Sequence, residues 1–194
     1  RRLALRLRAR WRAEAQRAGL RVTAFDAIYE MTPEAIQQQC EADLEHVVDA
    51  IKDARTYRWD FYKSPENMRR FRETAYREFL ADYRAHAGKA YVPGRLPQLP
   101  FGTDAFDLTL VSYLLFVYED HLDYGFHQRT LREIMRVTRG EARLYPITTF
   151  EARLSSYLDR LRTDTALQHL GFEVVPTDFE FLANSNYYLR VFRR

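Results

Sequence analysis

The densest set of chemically capable side chains lies in YEDHLDYGFH, Tyr118 to His127, which holds Glu119, Asp120, His121, Asp123 and His127. Imidazoles titrate near neutrality, so His121 and His127 are candidate general bases. The same imidazoles and carboxylates suit a divalent metal, and a solvated helix start explains the run with no ligand at all; no metal site is assigned. Asp26 ends the run VTAFD. A carboxylate at the carboxyl end of a strand can accept two hydrogen bonds from a ribose diol, or cap the turn that follows. Ser112 and Tyr113 stand at the far end of the apolar run FDLTLV, and Arg143 and Tyr145 lie in EARLYPI. Tyr145 is the better placed of that last pair to meet a substrate, and Asp123 is a second candidate substrate contact.

The elements that must hold these groups follow from composition and spacing. A chain of 194 residues, 46% apolar and 29% charged, can bury a substantial core. No run of eighteen apolar residues is present, which excludes a membrane-spanning helix. Cys40 is the single cysteine, so an internal disulfide and a cysteine zinc site are excluded, and a reducing, cytoplasmic setting is expected. The net charge is +3, with lysine only at Lys52, Lys63 and Lys89. Acids interleave with the arginines over most of the chain, which favours a solvated surface over a nucleic-acid footprint.

Residues 1–21, RRLALRLRARWRAEAQRAGLR, space Leu3, Leu7, Trp11, Ala15 and Ala18 as an amphipathic helix stopping at Gly19. Its arginine-rich, acid-poor composition is also that of a transit peptide, but the helix leads directly into a strand at Val22 to Asp26. Thr32-Pro33 and Ser64-Pro65 each open a helix as cap and first-turn proline. Between the two helices, Tyr57, Trp59, Phe61 and Tyr62 alternate with charged residues in a pattern that stacks bases, although helical spacing accounts for such aromatics as core. A short strand at YVP, an apolar strand from Phe106, a helix closed by Gly140, a strand at EARLYPI and a helix from Phe150 to Leu170 ended by Gly171 follow. Two further strands, FEVVPTDFEFL and NYYLRVFRR, meet at an Asn-Ser-Asn turn. Alternating strands and helices predict an α/β fold, a doubly wound, mostly parallel sheet with helices on both faces. The chain reads as a single domain over 1–194, with a helical insertion at about 31–87.

The segments LPFGTDAFDLTLVSYLLF and LREIMRVTRGEARLYPI resemble the carboxyl-terminal part of a class I S-adenosylmethionine-dependent methyltransferase, with Glu133, Arg136, Val137 and Gly140 matching one motif. VTAFDA is similar to that family's second strand. The resemblance implies a Rossmann-like methyltransferase fold with a carboxyl-terminal antiparallel hairpin, S-adenosyl-L-methionine as cofactor, and methyl transfer to an acceptor the sequence does not name. It implies that Asp26 holds the ribose, with Ala27 beside it in the cofactor site, and that Leu96 and Pro97 flank the adenine. It also implies that Ser112 and Tyr113 face the methionine moiety and the substrate, with Tyr113 beside His121 and His127 as a catalytic candidate. Arg95 stands where the family often carries an acid.

The family's first strand and glycine-rich loop have no counterpart before the expected first helix. The sheet should then lack its central strand, between those at Val22 and Phe106, and the chain is expected to be an N-terminally incomplete copy. Four function classes are open: methyl transfer, an inactive methyltransferase-like interaction protein, a basic nucleic-acid-binding domain, possible but not favoured, and, weaker still, a nucleotide-using oxidoreductase.

Overall fold

A computed structural model describes residues 2–6, 15, 19–51 and 54–194. Seven strands form one sheet: β1 (Arg2–Arg6), β2 (Arg21–Asp26), β3 (Tyr91–Pro93), β4 (Phe106–Ser112), β5 (Thr138–Tyr145), β6 (Leu170–Pro176) and β7 (Tyr187–Arg193). Their order is β3-β2-β1-β4-β5-β7-β6. The first five run parallel, and β7 is antiparallel to both β5 and β6. Among the described residues the connections include four α-helices of several residues each: α1 (Pro33–Ile51), α2 (Pro65–His86), α3 (Tyr124–Val137) and α4 (Tyr157–Thr163). This is the doubly wound, Rossmann-like arrangement with a carboxyl-terminal antiparallel hairpin that the resemblance implies.

The central gap is filled. Residues 2–6 form a strand between β2 and β4, with Ala4 opposite both Thr23 and Thr109. The helix expected over 1–21 is corrected there, and with it the inference of a missing central strand; residues 7–14 and 16–18 lie outside the described residues. Gly19 sits at φ +76° and the Leu20 N–H donates to the Ala15 carbonyl at 2.9 Å.

Both proline-led helices start where the sequence places them. Thr32 Oγ1 accepts from the Ala35 N–H and Ser64 Oγ from the Asn67 N–H, each satisfying a first-turn donor. On α3, Leu131, Ile134 and Met135 are buried against Ala142, Leu144, Leu189 and Val191 of the sheet. A second cluster joins Ile36 of α1 and Phe79, Leu80 and Tyr83 of α2 to Ala24 and Tyr91.

Three expectations change. Gly140 is not the end of a helix: α3 stops at Val137 and Gly140 lies within β5, where an added Cβ would run into the Asp107 carbonyl of β4. The long helix over 150–170 is replaced by a tight turn and the short α4. Thr149 N–H donates to Arg153 O and Ser155 N–H to Ile147 O, which folds 147–155 back on itself and leaves Leu154 exposed. Gly171 accordingly lies in β6, under the Phe192 ring. Finally, β6 stops at Pro176, and the connection to β7 runs over 177–186 instead of the short Asn-Ser-Asn turn.

Candidate active site

In a parallel sheet all the carboxyl ends share one edge, and ligands sit beyond it. Asp26, Pro93, Ser112 and Tyr145 end β2, β3, β4 and β5 there. Two antiparallel steps return β6 to the direction of β5, so the 177–186 connection leaves from that edge too.

At the end of β2, Asp26 caps a 3-10 turn over Ala27–Glu30, its Oδ1 accepting from the Ile28 N–H at 3.2 Å. The capping alternative is therefore realised, and it fixes the carboxylate at the sheet edge. Gly94, just past β3, donates its N–H to the Asp26 carbonyl at 3.4 Å, which brings the loop holding Leu96 and Pro97 alongside. Arg95 forms a two-point ion pair with Glu30, at 2.8 and 2.9 Å, so an acid stands beside the arginine that the resemblance left without one.

That loop is held from the other side by α3. Glu133 Oε1 accepts from the Leu99 N–H at 2.9 Å, while Arg136 donates to the Leu99 carbonyl at 3.2 Å and to both Glu133 oxygens. The Arg136 hydrogen bond, first among several causes, holds the Glu133 carboxyl below the usual carboxylate range. The sequence shows this acid–arginine pair as a motif match; its partner at Leu99 has no local signal.

At the end of β4, Tyr113 follows Ser112 with φ at +49°, a backbone region that bulky residues avoid. Its N–H donates to the Tyr145 carbonyl at 2.7 Å, and the two rings meet edge to face at 5.6 Å. The Tyr145 hydroxyl lies 2.9 Å from Ser185 Oγ, and its ring 5.9 Å from that of Phe179, both in the 177–186 connection. Burial pushes the Tyr145 phenol up, with hydrogen bonds from Ser185 and Tyr113 pulling the other way. Tyr145 is therefore a neutral donor and acceptor at physiological pH. The sequence marks Ser185 only as part of the Asn-Ser-Asn turn and Phe179 only as part of an expected strand, and neither signal points to the site.

The structure thus brings together Asp26, Ala27, Leu96, Pro97, Ser112, Tyr113 and Tyr145 along one edge. It does not bring the YEDHLDYGFH groups there as a unit. His127 is fully buried on α3, its ring 5.6 Å from Phe116 and 4.8 Å from Tyr157, with Nδ1 2.9 Å from the Asp123 carbonyl. Burial lowers its pKa, which keeps a neutral imidazole in the core. Asp123 is the N-cap of α3, its Oδ1 accepting from the Phe126 N–H at 2.6 Å. His121 is exposed in the preceding turn, and Glu119 accepts from Ser155 and Ser156. Among the described residues no three His, Cys, Asp or Glu side chains are placed to hold a metal ion, and no helix is long and apolar enough to cross a membrane.

No family model matches the chain. The uncharacterized protein MJ0045 of Methanocaldococcus jannaschii is 29% identical over 176 residues, 90% of this chain and 76% of that protein. A Methanosarcina mazei structure described as a SAM-dependent methyltransferase aligns over 100% of this chain and 91% of its own, at 12% identity and a TM-score of 0.45. The PH0226 protein of Pyrococcus horikoshii aligns over 99% and 80%, at 13% identity and a TM-score of 0.41. It is the strand order that carries the fold.

Proposed function

We propose that the chain is an S-adenosylmethionine-dependent methyltransferase domain whose cofactor lies across the carboxyl edge of β2, β3 and β4. The observation that supports this reading is the convergence there of Asp26, the 94–99 loop and the Ser112–Tyr113 turn. The donor set suits the ligand. Asp26 offers a carboxylate to a ribose diol, the Ala27 turn offers backbone N–H groups, and Leu96 and Pro97 offer apolar surface to a purine. When bound, the sulfonium cofactor supplies an activated methyl group, so the protein's part is alignment of the nucleophile. Tyr145, held by Ser185 and Tyr113, presents a fixed phenol to an acceptor, and the strained Tyr113 backbone is a cost of about 1–3 kcal/mol of the kind found at working sites.

One observation favours a second reading, an inactive interaction protein. No glycine occurs between Arg6, which ends β1, and Gly19, so the close backbone approach that glycines give in nucleotide sites has no counterpart there.

Calorimetric titration with S-adenosylhomocysteine separates the two. Wild-type protein binds, and Asp26→Asn weakens binding about 10- to 100-fold, the worth of a charge-assisted hydrogen bond. The Asn side chain keeps an oxygen for the Ile28 cap, so the melting temperature holds. Absence of binding by folded wild-type protein overturns the proposal and leaves the interaction reading.

A further inference from the structure

The aromatics of 57–62 divide into two kinds. Tyr57, Trp59 and Tyr62 pack on Phe181 at 5.0, 5.7 and 4.9 Å and belong to the core between α1, α2 and the 177–186 connection. Phe61 does not follow them inward. It is 53% exposed, and its ring lies 6.0 Å from that of Phe71 on α2, which is 45% exposed. Core packing explains the first three rings and leaves this pair unexplained.

The pair is flanked along the chain by an excess of cations. Between Arg55 and Arg72 the chain carries Arg55, Arg58, Lys63, Arg69, Arg70 and Arg72 against Asp60 and Glu66. Arg58, Lys63 and Arg70 are exposed, Arg70 with the Glu66 carboxylate as an electrostatic neighbour on α2. Exposed flat rings on a cation-rich stretch of chain are what a flexible polyanion with planar bases requires: the rings stack bases and the cations neutralise phosphates.

The pair is also connected to the sheet edge. Phe61 meets Phe179 at 5.1 Å, Phe179 meets Tyr145 at 5.9 Å, and Tyr145 meets Tyr113 at 5.6 Å. An unbroken line of rings runs from the exposed platform to the strand ends where the acceptor is proposed to sit.

We propose that Phe61 and Phe71, with Arg58, Lys63 and Arg70, form a docking platform for single-stranded nucleic acid. Resting on the methyltransferase reading, the platform leads an unpaired base to Tyr113 and Tyr145 as the acceptor. Unpaired strands are favoured over duplex because a ring can stack only on a base that has left its neighbours. Two rings offer too little apolar area to seat the domain in a bilayer, so a membrane is the weaker occupant.

The test is fluorescence anisotropy of a labelled twelve-nucleotide single-stranded RNA of mixed sequence, titrated with full-chain protein without cofactor, from 50 to 300 mM KCl. Wild-type protein binds, with affinity falling steeply as salt rises. The double variant Phe61→Leu/Phe71→Leu keeps apolar packing against Tyr62 and Phe179 but lowers affinity about tenfold or more with the salt slope unchanged. Arg58→Ala/Arg70→Ala flattens the slope by about 0.7 for each phosphate that is no longer neutralised. Equal affinity of the ring variant, equal affinity of wild type for a duplex of the same length, or binding to phosphatidylglycerol vesicles in place of RNA overturns the proposal. Parallel titration with S-adenosylhomocysteine keeps the two readings apart. RNA binding without cofactor binding sustains the platform and overturns the methyltransferase; cofactor binding without RNA binding does the reverse.

Discussion

Replacing Glu133 with alanine should loosen the loop that carries Leu96 to Leu99 and lower stability by a calculable amount. The carboxylate receives the Leu99 N–H and both Arg136 donors. Its removal leaves the half-buried Leu99 N–H without that partner, at about 1–3 kcal/mol. The ion pair adds less, because the Arg136 side chain is 38% exposed and solvent screens it, to about 0.5–1 kcal/mol. A loss of about 2–3 kcal/mol shifts the midpoint of a domain this size by roughly 5–10 °C. Circular dichroism melts measure it. Glu133→Gln, which keeps an oxygen for Leu99, should lose about half as much. In a double-mutant cycle with Arg136→Ala, the coupling should be at least about 0.5 kcal/mol, since the two residues act on one loop. The pH dependence has a defined sign. The folded carboxyl lies below its unfolded value, so the stabilisation is present above about pH 4.3 and disappears as pH falls through the folded value. A Glu133→Ala melt within about 1 °C of wild type, or strictly additive single variants, would refute the clamp.

His127 is held neutral by burial, so it binds a proton more readily in the unfolded chain; stability should fall as pH drops below about 6.5, with up to about 1.4 kcal/mol per pH unit from this one group. Denaturation curves at pH 7.5, 6 and 5 should show a shallower pH slope for His127→Gln than for wild type, and parallel slopes would assign the effect elsewhere. Gly140→Ala should cost about 1–3 kcal/mol, because the new methyl group meets the Asp107 carbonyl of a paired strand. Gly171→Ala should cost less, since it meets the Phe192 ring, which can turn aside; chemical denaturation giving the reverse order would contradict the strand packing.

What the sequence made legible was what its local chemistry decides. Thr32-Pro33 and Ser64-Pro65 mark helix starts because a side-chain oxygen and a proline act within one turn of their own position. Asp26 was legible as an acid at a strand end. The contacts that fix the site join residues far apart: Glu30 to Arg95 across 65 positions, Leu99 to Glu133 across 34, Tyr145 to Ser185 across 40. No periodicity encodes such pairs. The YEDHLDYGFH cluster misled for a related reason. Its residue types suit catalysis, but one turn of helix places His127 on the buried face of α3 and uses Asp123 as the cap. The helix expected over 150–170 failed because Leu154, Tyr157, Leu158 and Leu161 keep helical spacing across a turn that backbone bonds at Thr149 and Ser155 close.

The first strand offers the sharpest contrast, because one substitution reads oppositely in its two interpretations. As a helix, residues 1–21 would hold Ala4 in the first turn, where a proline lacks only a donor that has no intrahelical partner and costs little. As β1, Ala4 lies between Thr23 of β2 and Thr109 of β4, at the centre of a parallel sheet. Proline there deletes a ladder donor and sets its ring against a neighbouring strand, a position proline does not occupy in sheets; the native Pro93 is tolerated because β3 is at the edge. The cost is about 3 kcal/mol or more, a large share of the roughly 5–15 kcal/mol that holds a typical domain. Ala4→Pro should therefore lower the urea midpoint markedly, while proline at the exposed Thr103, in the loop before β4, should not. An unchanged midpoint for Ala4→Pro would return residues 1–21 to a helix and reopen the gap between β2 and β4, and with it the Asp26-to-Ser112 edge on which the cofactor site depends.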